Sequence, residues 1–245
     1  MRLWALSDVG KARTENQDAV SAEIYIPEKT GIETAICVVC DGMGGAKAGG
    51  YAAALAADTF VKTLKSGLEL QPVDDDLLRR CAALANEAVY TSGRSKREYR
   101  GMGTTLVAAV GDGEMMKIIN VGDSRCYTVS EKGIVQVTKD HSLVEDMVDR
   151  GEILREEAWR HPNKNYITRA LGTDIMLRCD VFSLYMNPEE YLLLCTDGLT
   201  GVVNPQELLF ELIYGGDTES AAQRMLDIAL SRGAPDNVSL ILMQK

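Results

Sequence analysis

An unbroken apolar run, Ala35-Ile-Cys-Val-Val-Cys40, stops on Asp41 and passes into Gly42-Met-Gly-Gly45. β-Branched and small apolar residues bounded by glycines predict a buried strand entering a tight loop, with Asp41 at the strand tip. Gly42, Gly44 and Gly45 strip side-chain bulk from around that acid, so backbone groups can approach whatever it holds. A ligand site has this look, and so has a capped turn before a helix. Tyr191-Leu-Leu-Leu-Cys-Thr-Asp-Gly-Leu199 repeats the pattern, with Asp197 in the place of Asp41. Two such strands can deliver two carboxylates to one place, where like charges need a cation or a proton between them.

Elsewhere the pattern predicts a strand near Leu3 to Ser7, a polar loop from Gly10 to Asp18, and a strand around Ala19 to Tyr25. The loop carries Arg13, Asn16 and Asp18. A guanidinium and a carboxylate together suit a phosphoryl group and a cation, and equally a solvated hairpin with a surface ion pair. Helical periods follow over Ala46 to Lys65 and about Asp75 to Ser92, with acids at the start of the second and Arg94, Lys96 and Arg97 past its end. From Gly103 the period becomes that of strands, over residues 104–110, 115–121, 125–130 and 134–137. Hairpin-like turns between them predict consecutive antiparallel pairs, not a βαβ nucleotide fold. Gly122-Asp-Ser-Arg125 interrupts this ladder with Asp123, which reads as a turn. Residues 142–164 predict short surface helices forming a flap over a site. Strands from Asp180 to Leu184 and Tyr191 to Cys195, helices about Pro205 to Tyr214 and Thr218 to Arg232, and a last strand opening at Asp236 complete the pattern.

Composition narrows this picture. The 245 residues contain no Pro- or Ser-rich linker, low-complexity tract or repeat, so a single domain over residues 1–245 is expected. A net charge of −10 argues against sequence-independent nucleic-acid binding. Cys37 and Cys40 form a C-x-x-C, but an odd spacing on a strand sends the two thiols to opposite faces. With Cys81, Cys126, Cys179 and Cys195 scattered through apolar segments, all six read as reduced core thiols of a reducing compartment. No signal peptide or transmembrane run is present, so a cytoplasmic protein without membrane contact is expected.

Asp18, Asp41, Asp197 and Asp236 each fall at a strand-loop junction, in four segments spread along the chain. If they converge, their hard oxygen donors suit Mg²⁺ or Mn²⁺. The two histidines, His141 and His161, lack zinc-ligand spacing. Two divalent ions roughly 3.5–4 Å apart can generate a hydroxide and stabilise a transferring phosphoryl group. No nucleophilic side chain is then needed, and no C-x5-R loop of the cysteine phosphatase kind occurs.

The motifs Arg13-Thr-Glu-Asn-Gln-Asp18, Asp41-Gly-Met-Gly-Gly45, Gly103-Thr-Thr105 and Gly122-Asp-Ser-Arg125 are followed by Asp140-His-Ser142, Thr168-Arg-Ala-Leu-Gly172, Thr196-Asp-Gly-Leu199 and Asp236-Asn237. In this order the chain resembles the PPM (PP2C-type) metal-dependent serine/threonine phosphatases over nearly its whole length. The resemblance implies an α+β fold: a four-layer α-β-β-α sandwich with two central antiparallel sheets and a metal centre in the cleft between them. It implies that Asp41 bridges two metals with the Gly42 carbonyl completing one shell, and that Asp197 and Asp236 hold the first metal. Asp18 would bind through water or support the shell, Arg13 would grip the substrate phosphate, and Asn237 would lie in the outer shell. Asp123 corresponds to the acid of a third, weaker metal site in bacterial members. The segment from Ser142 to about Asn165 matches the family's flap, which is thought to influence substrate choice.

Some positions depart from the family pattern. Met43 stands where many eukaryotic members carry a histidine proposed as general acid, which leaves protonation of the leaving oxygen unassigned, with a metal-bound water as the natural candidate. Gln17 replaces a glutamate, and Ala46 and Gly50 stand where bacterial relatives often have His and Glu. No matched metal-binding aspartate is lost. The expected function is a bacterial-type, Mn²⁺- or Mg²⁺-dependent phosphatase hydrolysing phosphoserine and phosphothreonine by attack of a water bridging two ions. Its expected partners are phosphorylated proteins and a cognate serine/threonine kinase, and a monomer is expected. The alternatives are a catalytically weak signalling or binding module of the same fold, and the same chemistry on a phosphorylated metabolite.

Overall fold

The strand Thr34–Met43, β3, is buried on both faces, which explains its unbroken apolar run. Ala35, Cys37 and Val39 face one neighbouring layer, and Ile36, Val38 and Cys40 face the other. Cys37 and Cys40 thus enter opposite cores, and all six cysteines are free thiols. The structure is a computed structural model and describes residues 1–44 and 46–245. Gly45, one of the glycines expected to open the Asp41 loop, lies outside them, as do the side chains of Ala46 and Lys47.

Strand β3 belongs to a six-stranded antiparallel sheet in the order β2 (Asp18–Tyr25), β3, β5 (Leu106–Gly111), β6 (Met115–Val121) and β9 (Asp180–Tyr185), with the two-residue β4 (Gly103–Thr104) on the end of β3. A five-stranded antiparallel sheet runs β1 (Arg2–Asp8), β11 (Val238–Gln244), β10 (Tyr191–Cys195), β7 (Arg125–Ser130) and β8 (Gly133–Gln136). Cys37 and Val39 meet Leu192, Leu194, Ile241 and Met243 of this second sheet in a shared apolar layer. Helices α1 (Ala46–Leu68) and α2 (Asp75–Ser95) cover the outer face of the first sheet, and α6 (Pro205–Tyr214) and α7 (Thr218–Ser231) cover that of the second. These are the four layers the resemblance implies. Asp74 caps α2 by accepting from the Leu77 N–H, and Asn204 with Glu207 forms a capping box before Pro205. Shorter elements are a 3-10 turn at Arg97–Tyr99, α3 (Leu143–Asp149), α4 (Arg155–Ala158) and α5 (Asp197–Thr200).

Three local expectations change. Asp41 is inside its strand rather than at the tip, because Gly42 and Met43 continue the ladder by pairing with Thr104 and Gly103. The expected run over residues 104–110 breaks at Thr105, whose N–H donates to the Asp41 carbonyl. The hairpins are not consecutive either: β5 pairs with β6, and β7 with β8, but β6 and β7 lie in different sheets. Gly122, Asp123 and Ser124 therefore carry the chain from one sheet to the other, which leaves Asp123 buried at the crossing.

Close backbone approach fixes the second Asp-Gly as well. A Cβ on Gly198 would lie 1.8 Å from the Asn237 carbonyl oxygen, so α5 abuts the chain just before β11 with no room for a side chain. Gly198→Ala must push these backbones apart. Overpacking of this kind costs about 1–3 kcal/mol, and for a chain of this length each kcal/mol lowers the melting temperature by about 2–4 °C. A circular-dichroism melt with an unchanged midpoint would show that the contact is relieved without strain.

Candidate active site

Antiparallel register sets Asp18 of β2 directly opposite Asp41 of β3. Backbone contacts then pin Asp41. Its N–H donates to Thr105 Oγ1 at 2.8 Å, while its carbonyl accepts from Thr105 N–H and Thr104 Oγ1, both at 2.9 Å. Thr105 Oγ1 also lies 2.7 Å from Ser124 Oγ, which ties Asp41 to the crossing that carries Asp123. The Gly103-Thr-Thr105 motif is thus the brace of the Asp41 strand. Gly42 passes so near α1 that a Cβ there would lie 2.1 Å from the Gly49 carbonyl oxygen.

Asp18 reaches across to the other sheet. Its Oδ2 accepts from Ser239 Oγ at 2.6 Å and Thr196 Oγ1 at 3.1 Å, while its Oδ1 is buried without a partner. Asp197, the first residue of α5, likewise keeps a buried, unpartnered Oδ1, and it lines the same cleft as Asp41. Arg13 donates to Asp236 Oδ2 at 2.8 Å, an ion pair spanning 223 positions of sequence. Asn237 accepts from the Gln17 N–H and donates to the Val9 and Glu15 carbonyls. It therefore binds the Arg13 loop to the start of β11.

One cleft of about 370 Å³ is lined by Arg13, Asp41, Gly42, Asp123, Asp197 and Asp236, together with Met43 and Thr105. Asp18 stands behind Asp41, and Asn237 stands behind the Arg13 loop. A smaller cavity of about 220 Å³ shares Asp123, Asn165 and Asp197 with it and is walled by Val144, Arg155 and Trp159 of the expected flap. Among the described residues, no three Asp, Glu, His or Cys side chains close to the spacing of a ready-made metal site. The acids instead act on one another around the cleft, Asp41 feeling the charges of Asp197, Asp18, Asp123 and Asp236.

Their electrostatics follow from burial and like charge. Burial pushes the Asp18 carboxyl up to about 7, against the hydrogen bonds from Ser239 and Thr196, and the charge of Asp197 adds to the rise. Asp41 and Asp123 are driven well above the carboxylate range by burial and then by Asp197, and Asp197 is raised by burial and Asp236. Orphaned carboxylate oxygens beside repelling acids, with no histidine or cysteine lining the cleft among the described residues, fit a hard divalent cation.

His141, which has no zinc-ligand spacing in the sequence, proves to hold the crossing. Its Nδ1 accepts from the Gly122 N–H at 3.0 Å, which leaves Nε2 to donate to Asp180 at 3.1 Å. Its own N–H donates to the Gly122 carbonyl. Arg125 adds a forked pair to Asp140, with Nη2 to Oδ2 at 2.7 Å. The signal for these contacts was the pair of motifs Gly122-Asp-Ser-Arg125 and Asp140-His-Ser142, not any residue alone.

The chain matches the Protein phosphatase 2C family over residues 11–231. It is 36% identical over 213 residues to the serine/threonine phosphatase stp of Listeria monocytogenes, covering 86% of this chain and 84% of that one. Among solved structures it is similar to the serine/threonine phosphatase Stp1 from Staphylococcus aureus, with a TM-score of 0.90 at 35% identity, covering 100% of this chain and 95% of that one. It is also similar to the catalytic domain of the phosphatase PstP in complex with two manganese ions, with a TM-score of 0.83 at 30% identity and coverage of 98% and 96%.

Stability should report the burial of Asp18 directly. The fold holds the Asp18 carboxyl at about 7, above its ordinary 3.8, so it favours the protonated acid. That contribution is full below 3.8 and is lost as pH rises through about 7. In EDTA, Asp18→Asn is expected to melt above the wild type by a margin that grows from pH 5 to pH 8. A margin that shrinks with rising pH would contradict this account.

Proposed function

The chain belongs to the protein phosphatase 2C family and is a serine/threonine phosphatase, and from that premise we propose that it hydrolyses phosphoserine and phosphothreonine in proteins with two divalent ions, Mn²⁺ or Mg²⁺. Asp41, Asp197 and Asp236 would hold the pair, with the Gly42 carbonyl completing one shell and Asp18 binding through water or supporting the shell. Asp123 would serve a third site. The observation that carries this reading is the pair of buried, unpartnered Oδ1 atoms of Asp18 and Asp197 beside the Asp41 carboxyl. When bound, the ions would activate water and neutralise charge on the transferring phosphoryl group.

The side chains account for the rest. Arg13 is half-exposed on the rim, with its guanidinium on Asp236. It has room to present its fork to a substrate phosphate without leaving the cleft. No cysteine, serine or histidine lines the cleft among the described residues; of its two threonines, Thr14 lies on the Arg13 loop with no base beside it in the cleft other than the acids, and Thr105 Oγ1 is occupied by the Asp41 N–H and Ser124. Direct hydrolysis by water is therefore favoured over a covalent phosphoenzyme. Met43 offers no proton to the leaving oxygen. Asn237, His141 and the Arg125–Asp140 pair position the backbones that carry the acids. Residues 142–165 would act as a flap over the cleft in a single domain covering residues 1–245. A serine/threonine kinase is the natural antagonist, acting with this enzyme as a monomer in the cytoplasm; no helix among the described residues is long and apolar enough to cross a membrane.

Phosphate release from a phosphothreonine peptide is expected with Mn²⁺ and not with EDTA. Asp41→Asn and Asp197→Asn, checked for folding, should each lose at least about 100-fold, beyond the 10–100-fold typical of removing a supporting residue. Arg13→Ala should mainly raise KM. A folded, Mn²⁺-loaded wild type that releases no phosphate would overturn the reading, and turnover of phosphorylated metabolites alone would redirect it.

A further inference from the structure

Beside the acidic cleft lies a basic groove. At the C-terminal end of α2, Arg94, Lys96, Arg97 and Arg100 line a cavity of about 590 Å³ together with Met102 and Thr173, and among the described residues no acid lines it. The groove shares a wall with the cleft: a Cβ on Gly44, which lines the cleft, would lie 2.7 Å from Met102 Cα and 2.9 Å from the Gly101 carbonyl oxygen. All four cations are exposed.

Clustering sets this groove apart. Arg125, Arg155, Arg224 and Arg232 each meet an acid, at Asp140, Glu145, Glu211 and Glu207. Here Arg94 lies over the Tyr90 ring at 3.4 Å, and Lys96 meets Glu98 only at 3.8 Å. Among the described residues, Arg97 and Arg100 have no side-chain hydrogen bond or ion pair. A chain with 36 acids and a net charge of −10 thus leaves guanidinium forks together and unneutralised. The helix dipole accounts for Arg94 in the last turn of α2, but Arg97 and Arg100 lie beyond its cap at Lys96. Guanidinium groups in a concave surface concentrate anions and match carboxylate or phosphate oxygens with paired donors.

We propose that this groove docks an anionic stretch of the phosphoprotein substrate, either a second phosphorylated residue or a run of acids near the phosphorylated side chain in the cleft. The inference rests on the phosphatase reading and names its preferred substrate class: multiply phosphorylated or acidic segments. Anchoring a second point of the same chain raises the local concentration of the reacting phosphate without a new contact at the reacting atoms. The gain should fade with salt, because these side chains are exposed.

The test compares Arg97→Glu/Arg100→Glu with wild type on four substrates. These are p-nitrophenyl phosphate, a phosphothreonine peptide in alanine, the same peptide with a second phosphothreonine, and the same peptide with four flanking glutamates. The wild type is expected to show lower KM for the two anionic peptides than for the alanine peptide. The variant should raise those two KM values about 5–20-fold, as two exposed charge reversals allow, with kcat and p-nitrophenyl phosphate turnover within about twofold of wild type. A rise for one anionic peptide alone identifies the source of the negative charge. Equal KM for all peptides in an active wild type, or a variant that changes only binding to anionic vesicles, overturns the docking site and leaves the phosphatase standing. Fluorescence anisotropy of the doubly phosphorylated peptide on Asp197→Asn, with and without the two reversals, reads docking apart from turnover. Unchanged affinity there overturns the proposal, whereas loss of all wild-type turnover with docking intact would count against the phosphatase reading alone.

Discussion

Like charges held close in a buried cleft are the constraint on which this structure depends. Asp18, Asp41, Asp123 and Asp197 would each lower their energy by protonating or by moving apart, and burial raises the carboxyl of every one. Backbone placement denies them the second option. Asp41 is braced by Thr104 and Thr105, Asp123 rides on a crossing clamped by His141, and Asp197 opens a helix whose glycine touches the Asn237 carbonyl. The sandwich supplies this rigidity because its strands are covered on both faces.

Much of the fold could be read from pattern alone. Strands such as β3, β5 and β10 are apolar at successive positions because adjacent side chains enter different cores, so their runs announced themselves. Antiparallel pairing followed from the short turns at residues 112–114 and 131–132. The passage at Gly122, Asp123 and Ser124 was not legible, since a short Gly-Asp-Ser turn looks the same whether it closes a hairpin or changes sheets. Only the pairing of β6 with β9 and of β7 with β10 distinguishes the two. Likewise, nothing near Asp41 foretold that a two-residue strand from residues 103–104 would extend its ladder.

The cleft was legible in its members and not in its joints. Motif order brought Arg13, Asp41, Asp123, Asp197 and Asp236 forward as a set, and these line one cavity. Their supports come from far away in sequence: Ser239 on Asp18, Asn237 on Gln17, Asp236 on Arg13. Ser239 carries no local signature, because only the closed fold gives it something to hold, whereas Asp236 and Asn237 stood out as a motif without showing what they would grip. His141 is the sharpest case: a lone histidine without a metal pattern turns out to donate, accept and fix a tautomer at once.

The position of β11 bears on how the molecule is made. It is the latest strand in sequence, yet it lies between β1 and β10 inside its sheet, and the residues just before it contact the Arg13 loop. During synthesis β1 and β10 wait without their shared neighbour, and Asp18 waits without Ser239, until residues 236–244 leave the ribosome. The opposite sheet, with α1 and α2, has all its strands by residue 185 and can condense first. Assembly of the acidic cleft then waits on β11, so until that strand emerges a nascent chain carries its charged residues without the geometry that makes them hazardous or useful.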